Sequence, residues 1–216
     1  MGQAKSRGSR EQRIAQALVQ AEQQSRVEEF SIYPRAALLD KSYVLGLCAE
    51  VDSESAPVRV PCRPMFGGQL NDCFPLVERK VKESGGKFVL GWAIWERPGI
   101  LVEAELHAVW QSPEGGLIDI SPRDRQFSSI TFLPDSKGLS YARQVDNVRR
   151  PLSSDPRTVR FIELFSEQFA ILNEGDLADK FGPVTLPPER MRRYESIERE
   201  LMSIEEYFLR QSLSRK

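Results

Sequence analysis

The stretch ILVEAELHAVWQ, Ile100 to Gln111, decides the fold of this chain. Val102, Ala104, Leu106, Ala108 and Trp110 alternate with Glu103, Glu105, His107 and Val109. Successive side chains of a strand point to opposite faces, so this period of two predicts a strand with one apolar core face. On either side, Arg97-Pro98-Gly99 and Ser112 to Gly115 are turn signals, and Lys87 to Glu96 and Gly116 to Ser121 are further strand candidates. Ser129 to Leu133 adds another. Before this meander, Asp72 to Ser84 places Phe74, Val77 and Val81 at helical spacing. Pro75 suits a first helical turn, where its missing N–H would be unpaired anyway, and Gly85-Gly86 ends the helix. A helix followed by a meander predicts an α+β domain, a helix packed on an antiparallel sheet, rather than βαβ winding.

Further out, Tyr43 to Val51 reads as a strand, Ser53 to Pro57 as a turn and Val58 to Val60 as a second short strand. Pro134 to Pro156 is polar and turn-rich. Asp155-Pro156 then opens a helix as N-cap and N1, with Phe161, Ile162, Phe165, Phe169 and Leu172 on its buried side. A last helix runs from about Pro188 to Ser212, and Tyr194, Ile197, Leu201, Ile204 and Phe208 form a short heptad seam along it. That seam suits docking onto the domain, and a protein partner or homodimer through 188–212 is the sharper alternative. Arg10 to Glu29 lacks Gly and Pro and predicts a helix with a narrow apolar face. The expected division is a helical extension over 1–30, a core domain over 31–182 and a C-terminal helix over 183–216.

Composition excludes several function classes. With a net charge of -1 over 216 residues, no overall field draws nucleic acid or an anionic membrane. No run approaches the roughly 18 apolar residues of a membrane span, and the polar, basic first residues predict no secretory signal. Three cysteines suit a reducing cytosol better than a disulfide framework, so a cytoplasmic location is expected. Gly2 with Ser6 fits the short form of a myristoylation signal, a pattern that arises readily by chance. No cofactor is expected: Gly67-Gly68 lacks the Lys-Ser/Thr of a phosphate loop, and one His with three scattered Cys lacks metal-ligand spacing. Glu103, Glu105 and His107 share a strand face, and acids so spaced are usually just solvated. Trp92, Trp95 and Trp110 have no basic groove beside them, so they read as core or cleft wall rather than base-stacking platforms.

His107 is the only histidine, so any histidine-dependent chemistry must use it. It lies opposite the apolar face of its strand and looks toward solvent, a cleft or another layer. Asp119 is placed the same way, since Ile118 and Ile120 point to the other side. Folding through the Ser112–Gly115 turn sets the two side by side, where a carboxylate can fix the imidazole tautomer and stabilise the imidazolium. Cys73 begins the Asp72 helix, where unpaired N–H groups and the positive dipole end favour a thiolate. Asp72 disfavours an anion there and Pro75 removes one donor, but a helix start keeps several free N–H groups. Gln69 and Asn71 just before the cysteine carry donors suited to an oxyanion, and Trp110 is a candidate wall of the substrate cleft. Cys48 and Cys62 lack a helix-start environment and read as small buried hydrophobes.

The order of these parts resembles the transglutaminase-like core and, more broadly, the papain-like superfamily. The stretches that carry the resemblance are Asp72-Cys73-Phe74, Gly85-Gly86-Lys87-Phe88-Val89-Leu90-Gly91, His107-Ala108-Val109-Trp110 and Asp119-Ile120-Ser121-Pro122. The resemblance covers about a third of the chain. It implies Cys73 as nucleophile, His107 as its base and Asp119 as the residue that orients the histidine. The expected function is a cysteine-dependent hydrolase or transamidase acting on an amide or acyl bond of a peptide or protein substrate. The competing expectation is a catalytically inactive protein-interaction module on the same fold.

Overall fold

The computed structural model describes residues 32–180 and 184–214. The helix expected over Arg10 to Glu29 and the Gly2-Ser6 pattern lie outside the described residues. Within them the chain is α+β. Its strands are β1 (Arg35–Ala36), β2 (Val58–Pro61), β3 (Lys87–Arg97), β4 (Leu101–Gln111), β5 (Leu117–Ile118), β6 (Ser129–Pro134) and β7 (Val148–Pro151). Its helices are α1 (Ser42–Val51), α2 (Cys73–Ser84), α3 (Pro156–Leu172) and α4 (Pro188–Ser214), with a 3-10 turn over Gly175–Asp179.

The strands form one seven-stranded sheet of order β2-β6-β3-β4-β5, with β1 added to β3 and β7 to β4. All the ladders are antiparallel, and the long β3–β4 hairpin runs from Lys87 opposite Gln111 to Arg97 opposite Leu101. The two ends of the path also meet. Cys62 bridges Asp119 in parallel, the Asp119 N–H donates to Pro61 O (2.9 Å), and the Arg63 and Met65 N–H groups donate to Asp119 O and Ile120 O (2.8 Å each). The sheet therefore curls back on itself. Val60, Ala93, Trp95, Val109, Ile130 and Phe132 pack together on its inner side. Burying a side chain of this size contributes about 1.5–3 kcal/mol, so this small cluster is a substantial part of the core.

The outer side of the same strands is covered by helices. Val102, Ala104 and Leu106 pack with Val44, Leu47 and Cys48 of α1, while Ala108, Trp110, Ile118 and Ile120 pack with Leu76 and Val77 of α2. The alternation along β4 is thus as expected, but both of its faces are buried and the face bearing His107 looks into another layer. Tyr43 to Val51 is a helix and not the expected strand. Its buried residues Val44, Leu47 and Cys48 fall at i, i+3 and i+4, a helical stripe hidden in a short run rich in β-formers. The Gly116 to Ser121 strand is shorter than expected, because after Ile118 the chain leaves β4 to bridge Cys62. The polar stretch before Pro156 contains β7, which pairs with the start of β4.

In α3, Asp155 caps the first turn by accepting from the Arg157 N–H (2.9 Å) and Pro156 stands at N1. Its buried line is Thr158, Phe161, Leu164 and Ile171; Ile162, Phe165 and Leu172 flank it, and Phe169 is only half-buried. On α4 the expected seam is the buried one: Ile197, Leu201, Ile204 and Phe208 pack with Phe161 and Leu164, and Tyr194 joins at the edge. Arg97 of β3 pairs with Glu205 (2.8 Å) and ties α4 to the sheet. No helix among the described residues is long and apolar enough to cross a membrane.

Candidate functional site

The sequence brings Cys73, His107 and Asp119 together by three local devices. The first is strand alternation, which turns His107 to the inner side of β4. The second is the β4–β5 register. Trp110 stands opposite Ile118, so Asp119 falls level with Val109 and one diagonal step from His107 on the same face. The third is the entry to α2. Asn71 adopts a left-handed φ of 60°, a conformation that Asn tolerates better than most residues, and the next residue, Asp72, stands at the N-cap of α2. Cys73 is then the first helical residue. The Asp72 side chain makes no cap hydrogen bond, so neither the Cys73 nor the Phe74 N–H is claimed by it, and Pro75 has no N–H to give.

His107 Nε2 lies 3.1 Å from Asp119 Oδ1, and the Cys73 thiol lies close enough to the ring to raise its pKa. With Nε2 turned to the carboxylate, Nδ1 is the nitrogen left for the sulfur. The group is nearly dry, with Asp119 fully buried, His107 3% exposed and Cys73 8% exposed. Burial by itself pushes the imidazolium down. The interactions with Asp119 and Cys73 outweigh it, and the His107 pKa is raised to about 10. Burial likewise pushes the Asp119 carboxyl up, but His107 and Arg123 reverse this and hold it well below the usual carboxylate range. Asp119 Oδ1 also accepts the Ser121 N–H (3.1 Å). That bond fixes the carboxylate through its own loop.

Two neighbours at this cluster are absent from the expected set. Arg123 Nη2 donates to Asp119 Oδ2 (2.9 Å) and approaches His107 Nε2 to 3.3 Å, while the guanidinium lies 4.7 Å over the Trp95 ring. Trp95 is in turn held by Glu105 (2.7 Å). Cys62 Sγ lies 3.8 Å from Asp119 Oδ2. Burial, reinforced by the Asp119 charge, pushes that thiol up to about 12, so Cys62 is the protonated, unreactive kind. Cys48 is buried between α1 and the sheet, where desolvation raises its pKa to about 11. Arg123 had no readable signal. Its spacing of four from Asp119 carries meaning on a helix, but Pro122 and its surroundings are not helical.

The remaining expected site residues are placed differently from one another. Gln69 lines a cavity of about 230 Å³ with Gly67, Gly68, Asp72, Pro75 and Leu76, beside the start of α2. Asn71 is exposed in the turn just before it. Trp110 is not brought to this cluster. It stands on the outer side of β4, donates its indole N–H to Gly85 O (2.9 Å) and carries Lys80 over its ring (4.9 Å). That is the far end of the 12-residue α2, about 16 Å along the helix axis from Cys73 at 1.5 Å per residue. The carboxylates on the His107 face are occupied: Glu105 by Trp95, Glu103 by Arg149 (3.1 Å) and Asn147 (3.1 Å).

Chemically, the cluster is a thiol at a helix start, an imidazole with one nitrogen toward it, and an ionised carboxylate on the other nitrogen. Such an arrangement can move a proton from sulfur to nitrogen and hold it there. No protein-family model, curated protein or solved structure matches this chain.

Proposed function

We propose that the protein is a cysteine-dependent hydrolase or transamidase of the transglutaminase-like or papain-like type, acting on an amide or acyl bond of a peptide or protein. The observation that carries this reading is the convergence of Cys73, His107 and Asp119 at the first turn of α2, with His107 bonded to Asp119 and the thiol acting on the ring. Cys73 passes its proton to His107 and its sulfur attacks the substrate carbonyl carbon. A C–S bond forms and the carbonyl oxygen becomes an oxyanion, facing the free N–H groups at the helix start. Collapse breaks the bond to the leaving amine or alcohol, which takes the proton from the imidazolium. Water or an amine, deprotonated by His107, then attacks the thioester and releases the thiolate. Water makes the protein a peptidase or amidase; an amine acceptor makes it a transamidase. Gln69, on the cavity wall beside α2, is assigned the added donor.

A second reading, an inactive interaction module, draws on Phe66, which is fully exposed in the loop leading to the cysteine, with Leu70 half-exposed beside it. One experiment separates the two. At neutral pH, the enzyme reading expects iodoacetamide to alkylate Cys73 at least about tenfold faster than Cys48 or Cys62, and His107→Ala to remove that preference. It also expects an acyl-electrophile probe to label the wild-type chain and not Cys73→Ala. Equal, slow reaction of all three thiols, with no probe labelling, rejects the enzyme and leaves the interaction module.

A further inference from the structure

We propose that Arg123 is a positioning residue that shares Asp119 with His107 and thereby sets the pH range in which the Cys73–His107 pair works; this rests on the reading above. The geometry is unusual for a supporting contact. Asp119 uses Oδ1 for His107 and the Ser121 N–H, and gives Oδ2 to Arg123 at 2.9 Å. The same guanidinium nitrogen also stands 3.3 Å from His107 Nε2. A ring nitrogen that donates its proton to Asp119 has no lone pair left for an arginine. In that state the second approach is a contact between a cation and a ring that must itself become cationic.

Fold stability alone does not account for such a placement. The Arg123 Nε is buried with no hydrogen-bond partner among the described residues, so the chain bears a desolvation cost to hold the group there. Stacking on Trp95, itself fixed by Glu105, and the bond to Asp119 offset that cost. The charged and titratable groups around the ring are Asp119, Arg123, Cys73 from α2, Cys62 against Asp119 Oδ2, and Glu105 two residues along the same face of β4. Of these, Arg123 is the one fixed cation. It neutralises part of the carboxylate's hold on the imidazolium, so the proton taken from Cys73 can be released to a leaving group. It also favours the thiolate on the other side of the ring. Removing a nearby positive charge lets the cluster hold its protons more tightly, so the profile moves to higher pH.

The test uses the full-length chain. The rate of Cys73 alkylation by iodoacetamide is followed by peptide mass spectrometry from about pH 5 to about pH 9. R123Q keeps side-chain donors but removes the charge, and its midpoint is expected about one pH unit above wild type. R123K keeps the charge and restores the wild-type midpoint. Thermal unfolding checks that each variant is folded, and R123M replaces R123Q if the latter is not. A folded charge-removing variant with an unshifted midpoint overturns the proposal, and so does R123K shifted as far as R123Q. If wild-type Cys73 reacts no faster than Cys48, the catalytic reading fails and takes this inference with it. If Cys73 is fast and only the shift is missing, the catalytic reading stands without Arg123.

Discussion

His107 holds a carboxylate on one nitrogen and a thiol near the other, so its charge in the folded chain differs from its charge in the unfolded one. Its folded pKa is raised to about 10 from an ordinary value of 6.5. A raised histidine contributes stability that is complete below about pH 6.5 and is lost as pH climbs through about 10. The stability gap between wild type and His107→Gln, measured by denaturant unfolding, is therefore expected to narrow steadily across that alkaline range. A constant gap would mean that His107 is neutral when folded. Asp119 runs the other way. Its depressed pKa contributes stability above the ordinary carboxylate value of 3.8, lost as pH falls further into acid. The meeting of Cys73, His107 and Asp119 was legible because each rests on a local rule: alternation for His107 and Asp119, a helix start for Cys73. Arg123 and Cys62 reach the cluster from irregular chain, where spacing carries no direction.

At the scale of elements, the β3–β4 hairpin and its neighbours set how closely the site is packed. Gly91 is the strand partner of His107, and a side chain there would run into Leu133 O and the Phe132 ring. Both are far inside contact distance, and a backbone oxygen cannot swing away. Gly91→Ala must push β6 from β3, and is expected to cost at least the about 1–3 kcal/mol of ordinary overpacking, read as a lower urea midpoint. An unchanged midpoint would show that β6 gives way freely. In the hairpin, β4 was readable from the alternation over Val102 to Ala108, and β3 from a continuous apolar run between turn signals. The misread element is α1, whose ten residues carry apolar side chains on too many sides for either period to stand out. Only its contacts with Trp92, Ile94 and Ala104 reveal which residues the fold buries.

Across the whole molecule, the core divides into separate clusters. Phe161 and its neighbours on α3 and α4 share a cluster with Ile100 and Leu101 at the start of β4 and with none of the site residues. Phe161 is fully buried, edge-on to Phe165 (4.7 Å) and Phe208 (5.7 Å), with Arg97 over its face (5.2 Å). Phe161→Ala is expected to cost about 3–5 kcal/mol while leaving the Cys73 labelling preference intact below the melting range. Loss of the preference in the folded variant would mean that the helical layer and the site are one unit. The heptad seam was visible in the sequence, but its destination was not. A stripe of apolar residues states that it will be covered, and only the fold states that α3 covers it.

The seam between Cys62 and Asp119 has a consequence for chains that are only partly folded. The β3–β4 hairpin joins neighbours through a short turn, whereas this bridge links positions 57 residues apart. Closing a loop of that length costs entropy before its contacts reward it. Asp119 is itself a stitch of that closure, so the carboxylate reaches the imidazole as the sheet shuts. In a chain whose sheet is still open, the ring therefore lacks its carboxylate. Partly folded chains with an open sheet are thus expected to lack the His107–Asp119 pairing.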